Sequence, residues 1–157
     1  MADRRGERGS VLLLVPAAVL VLVVLGAIAV DFSLAFLGQR ELTGAAAAAA
    51  NDAAAAAVSD AAFYGSGEGP IVLDPARAEA VASDAVGRRR SGGVDVTSVA
   101  VRVVGAQVCV TVVGEVPYIF APVVPGVPRR AVVRGQAVAT AVLGPAGTEA
   151  PSSSSVC

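Results

Sequence analysis

At 157 residues the chain has room for one domain at most, and its 55% hydrophobic content is carried by Ala and Val, with aromatics only 4%. Side chains this small build a thin core. A net charge of −1, with every one of the 12 basic residues an Arg, gives no reason to expect nucleic-acid binding.

Residues 11–30 (VLLLVPAAVLVLVVLGAIAV) carry no charge. As a helix at about 1.5 Å per residue the run spans roughly 30 Å, the thickness of a bilayer's hydrocarbon core. Pro16 and Gly26 weaken a soluble helix, but membrane helices tolerate both. Arg4, Arg5 and Arg8 precede the run, and the nearest basic residue behind it is Arg40. The positive-inside rule therefore predicts residues 1–10 in the cytoplasm, a single-pass helix over 11–30 in the cell membrane, and an extracytoplasmic remainder. The competing reading is a cleaved secretory signal, because Ala27-Ile28-Ala29 forms an A-x-A site. Against it stand the length of the apolar run and its continuation through Phe32, Leu34, Phe36 and Leu37. Asp31 reads as the charge that marks the membrane exit, or as a partner for a neighbouring subunit.

Residues 31–63 form an Ala-rich segment without proline, predicted to extend the membrane helix outward to about residue 62 as a stalk. Its small side chains, Ala48 and Ala54 among them, permit close approach by another helix or a sheet and are candidate assembly contacts. The Gly-rich stretch 64–70 breaks this helix and opens a small extracytoplasmic domain over 64–143. A short strand at Ile71-Val72-Leu73 leads to Asp74-Pro75, an N-cap followed by Pro at the first helical position. Residues 75–88 read as a helix with Ala76, Ala80, Val81 and Ala85 towards the core, closed by Arg88-Arg89-Arg90.

The rest of the domain is β-like. Residues 94–104 and 107–116 are Val/Thr-rich runs separated by Gly105-Ala106, a hairpin. Val108, Val110 and Val112 alternate with Gln107, Cys109 and Thr111, so one face is buried. A third strand over 131–143 follows a loop with Pro117, Pro122, Pro125 and Pro128. That loop also carries Tyr118, Ile119, Phe120, Val123 and Val124, which either fold back over the sheet or offer a contact surface to a partner or the outer leaflet. Residues 144–157 have the composition of a disordered tail. The order of elements predicts an α+β fold: a long N-terminal transmembrane and stalk helix, then a three-stranded antiparallel sheet with one short helix.

Two cysteines lack the spacing of a metal site or a redox pair. Outside the cytoplasm, Cys109 and Cys157 are compatible with a bridge to each other, with free thiols, or with an intermolecular bond through Cys157. Without His, the common nucleophile–base pairs and most metal sites lose their usual member, and no Gly-containing stretch forms a phosphate-binding loop. No catalytic constellation, cofactor or small-molecule substrate is predicted.

Arg8-Gly9-Ser10, an apolar run ending Ala29-Val30-Asp31, and Arg40-Glu41-Leu42 followed by Asn51-Asp52-Ala53-Ala54 together resemble the TadE/TadG-like proteins of Tad (Flp) pilus assembly. The resemblance covers roughly residues 8–62. It implies a minor pilin-like or accessory component of a pilus or secretion apparatus, whose partners are the membrane and the other subunits. The fifth residue after Gly6 is Val11 and after Gly9 is Leu14, and the apolar run contains no Glu. In these respects the chain is similar to the uncleaved TadG-type members rather than to processed pseudopilins. The alternative is an unrelated single-pass or secreted binding module.

Overall fold

The computed structural model describes residues 7–58, 71–89, 93–141 and 157, with side chains from residue 14 onward. The first six residues, the end of the expected stalk with the whole Gly-rich break (59–70), residues 90–92, the last two residues of the expected third strand (142–143) and all of the tail but Cys157 lie outside the described residues. The architecture is α+β. Helix α1 (Glu7–Ala56) is followed by α2 (Pro75–Arg88), then by strands β1 (Asp95–Val104), β2 (Gln107–Pro117) and β3 (Arg130–Thr140). The strands form an antiparallel meander with β2 in the centre.

Helix α1 runs for 50 residues with Pro16 inside it. Its first part is apolar on every side and covered by little else: Leu14, Leu22 and Leu25 are each at least 60% exposed. This is one helix long and apolar enough to cross a membrane. Beyond Asp31 the same helix enters the domain. Leu42, Ala46, Ala49, Ala53 and Ala57 recur at spacings of three and four and are fully buried, which is the repeat of one helical face. They form one core with Val108, Val110 and Val112 of the sheet and Ala78, Ala82, Ala85 and Val86 of α2.

The helix ends at Ala56, earlier than the sequence predicts. The chain leaves the helix because Ala57 and Val58 find partners elsewhere. The Ala57 carbonyl accepts from Asp74 N–H at 2.9 Å, and Val58 makes an isolated antiparallel bridge with Leu73. That single bridge is all the described structure contains of the strand expected at Ile71-Val72-Leu73. Asp74 caps α2, accepting from the N–H groups of Ala76 at 2.9 Å and Arg77 at 3.3 Å. The face that α2 buries is Ala78, Ala82, Ala85 and Val86, whereas Ala76 and Ala80 are exposed and Val81 half-buried. Of the four expected core positions, Ala85 is buried.

In the sheet, the rows Val99–Val112–Gly135, Val101–Val110–Ala137 and Val103–Val108–Ala139 face the helices. A bulge between Val96 and Ser98 leaves Thr97 outside the pairing, with its hydroxyl donating to the Val113 carbonyl at 3.1 Å. Gly105 turns the β1–β2 hairpin at φ +58°. Helix and sheet meet closely at Gly135, where a Cβ would collide with the backbone of Leu42 and Thr43. Glycine there lets the helix backbone rest directly on β3, and the Leu42 side chain drops against Gly114.

Cys109 is buried although it points to the face opposite Val108 and Val110, because Cys157 covers it. The two form a disulfide with a Cα–Cα distance of 5.7 Å.

Candidate functional site: a groove where helix and loop meet

The Pro-rich connection between β2 and β3 does not fold back over the sheet. It runs alongside α1 at the end of its apolar part, and Asp31 holds it there. One carboxylate oxygen accepts from Ile119 N–H at 2.9 Å and from Phe120 N–H at 3.2 Å. The other accepts from Phe120 N–H at 3.3 Å and from Ala121 N–H at 2.8 Å. Asp31 is 7% exposed and is the buried charged residue among those described. Burial alone raises its pKa, but the three backbone donors outweigh that and hold the carboxyl below its ordinary value.

The local reason for this geometry is the short 3₁₀ turn Ala121–Val123. Its first N–H groups converge, as at any helix start, on an acceptor that the turn itself does not contain. Phe120, at the capping position, provides no side-chain cap. Asp31, 88 to 90 residues earlier in the chain, fills that place.

Between helix and loop lies an open groove of about 840 Å³. Val24, Ile28 and Phe32 form one wall, and Phe120, Val123 and Val127 form the other. The loop tip is unusually exposed for apolar sequence, with Val123 at 80% and Ile119 at 59%. At the loop's base Pro117 pairs with Arg130, which is bonded to Asp95 at 2.6 Å and approaches Glu115 at 3.6 Å.

Of the residues singled out by sequence, Asp31, Tyr118 and Phe120 come together here. Ala48 and Ala54 do not. Ala54 lies in the domain's own core at 4% exposure and Ala48 is half-buried, so the Ala-rich face packs against the chain's own sheet and α2. The apolar helix residues that do face outward beyond Asp31 are Phe32, Phe36 and Leu37, each at least 59% exposed. Sequence reading missed the direct partnership of Asp31 with the loop. The one local signal was the acid at the end of the apolar run. Among the described residues no group of His, Cys, Asp and Glu is placed to hold a metal ion.

No family model matches the chain, and neither a curated protein nor a solved structure matches it.

Proposed function

We propose that this protein is a non-enzymatic, pilin-like accessory subunit of a Tad (Flp) pilus or a related secretion apparatus. It spans the cell membrane once, with its N-terminus in the cytoplasm and its domain outside, and acts by assembling with other subunits. The observation that carries the reading is α1 itself. A single helix, Glu7–Ala56, is apolar and exposed from Leu14 to Val30 and supplies the domain's core through its second half. Membrane and domain are thereby joined without a hinge, which suits a subunit that is positioned by its helix. Arg4, Arg5 and Arg8 immediately before the apolar run, with no basic residue after it until Arg40, support the orientation. The resemblance of residues 8–62 to TadE/TadG-like proteins supports the pilus assignment.

Because the Ala face is occupied internally, the contacts for other subunits fall on the exposed stripe Phe32, Phe36 and Leu37. The test is recovery of the tagged full-length chain from membranes of the native cell after crosslinking. The expected result is co-recovery of pilus or secretion subunits, lost in Phe36→Glu while membrane fractionation is unchanged. Normal pilus assembly and secretion in cells that lack the protein would refute the reading.

A further inference from the structure

We infer that the Pro-rich loop, residues 117–128, is a second membrane-embedded element: it dips into the outer leaflet beside α1, and the groove between them is filled by lipid acyl chains. The inference rests on the proposed membrane anchor and extends it to a part of the chain far away in sequence.

Depth is the first argument. The helix wall of the groove includes Val23 and Val24, eight and seven residues before Asp31. At about 1.5 Å per residue they lie roughly 10–12 Å deeper along the helix axis than Asp31. If residues 11–30 lie in hydrocarbon, then the loop side chains opposite Val23 and Val24 are at hydrocarbon depth too. What borders a groove at that depth is lipid. Phe120, Val123 and Val124 are exposed side chains of the loop that line the groove.

The second argument is independent of the helix and concerns the loop's backbone. Every unpaired backbone N–H and C=O adds to the cost of entering hydrocarbon, and in this loop the N–H share of that cost is almost removed. Pro117, Pro122, Pro125 and Pro128 have no N–H. Ile119, Phe120 and Ala121 donate to Asp31. Tyr118 donates to the Arg129 carbonyl at 3.0 Å, Val123 to Phe120 at 3.0 Å, Val124 to Ala121 at 3.0 Å and Val127 to Val124 at 3.3 Å. Gly126, in the turn at φ +85°, is the one position of the twelve outside this scheme. An ordinary surface loop has no need to satisfy or omit the N–H at eleven of twelve positions, since water supplies the partners. Asp31 thus has a role beyond marking the membrane exit: it allows three N–H groups to leave water together.

The third argument is what stands at the loop's base. Tyr118 is half-buried and Arg129 exposed, and they flank the apolar tip where chain and sheet meet. A tyrosine and an arginine at that level suit the headgroup layer, one as an amphipathic ring and the other as a partner for lipid phosphate.

Both native cysteines are in the disulfide, so an introduced cysteine can be spin-labelled selectively in the full chain. Three single variants in lipid nanodiscs test the inference through collision with oxygen and with a water-soluble nickel complex. Val21→Cys reports on the helix, Val123→Cys on the loop, and Val104→Cys on the far end of the sheet. The expected result is a several-fold higher oxygen-to-nickel ratio at 21 and 123 than at 104. A label at 123 as open to nickel as the one at 104, with 21 in lipid, overturns the loop proposal and leaves the anchor standing. A label at 21 that is itself in water removes the anchor and the proposal together. Protection at 123 with spin–spin broadening that vanishes on dilution with unlabelled chain would mean that a second copy fills the groove, which also overturns it. In the labelled chain, Asp31→Ala should return position 123 towards water. An unchanged depth overturns the assignment of Asp31 as the residue that holds the loop.

Discussion

Gly135→Ala is the sharpest probe of how the domain is built. The added methyl would meet the Leu42 carbonyl carbon and oxygen and the Thr43 nitrogen, all of them backbone atoms of α1. No side-chain rotation relieves such a contact, so the helix must lift from β3 or the strand must bend. Overpacking of a core costs about 1–3 kcal/mol, and an obstacle made of backbone belongs at the upper end, about 2–3 kcal/mol. Amide exchange across β2 and β3 in the full-length chain reads this directly. At 1.36 kcal/mol per decade, a loss of about 2 kcal/mol speeds the slowest sheet amides roughly thirtyfold. Gly44→Ala is the matched control, since a Cβ there meets nothing within 4 Å. In a helix interior it should stabilise by roughly 0.5–1 kcal/mol. Leu42→Ala should not rescue Gly135→Ala, because the clash is with the Leu42 main chain rather than its side chain. Exchange in Gly135→Ala within twofold of the parent chain, or equal damage from Gly44→Ala, would refute the close approach.

Three further outcomes follow from the same structure. Asp31→Asn should speed amide exchange at Ile119, Phe120 and Ala121 and leave β2 unchanged, because it weakens their common acceptor. Since the folded carboxyl is held below its unfolded value, its stabilising effect is complete above that unfolded value and is lost as pH falls through the lower, folded one. Loop mobility at position 123 should therefore be flat across neutral pH and rise only in strong acid. Asp74→Ala removes the α2 cap and should cost about 1 kcal/mol in a urea titration followed by exchange at α2. Cys157→Ser opens a crosslink between residues 48 apart. Chain entropy puts the loss at up to about 4 kcal/mol. A change in the denaturation midpoint equal to that of a neutral surface substitution would mean the bond does not constrain the unfolded chain.

How much of this was legible depended on whether the residues differ in size or shape. The strands were readable because Val and Thr alternate with polar residues, and Gly105 marks the turn. The start of α2 was readable from Asp74-Pro75, whose chemistry is local. Its buried face was not, because Ala76, Ala78, Ala80 and Ala82 offer no contrast in size, and packing alone chooses 78 and 82. The end of α1 was misplaced for a similar reason. Helix propensity runs on through the alanines, while the bonds that stop the helix come from Asp74 and Leu73, both distant in sequence. Cys109 looked like an alternate, outward position and is buried because of a residue 48 places away. The partnership of Asp31 with residues 119–121 is the extreme case, since no local pattern announces a cap supplied from 88 residues earlier.

The poverty of large side chains and the close fit of helix to sheet are two sides of one solution. Leu42, Val108, Val110 and Val112 are the largest fully buried side chains, so each contact brings little apolar area out of water. What small residues provide instead is proximity, with alanines between α1 and α2 and glycines between α1 and the strands. The consequence is geometric. On the reading that α1 spans the bilayer, the sheet rests on the backbone of the spanning helix at Gly135 and is tied to the same helix at Asp31. Leu42 and Asp31 are eleven residues apart, roughly 16 Å along one helix. Two attachments at that separation resist tilting of the domain about either one, so the sheet keeps a set orientation to the membrane normal. A domain carried on a flexible linker would have none. Such a fixed orientation suits the proposed role in assembly, and disrupting either attachment alone should release it.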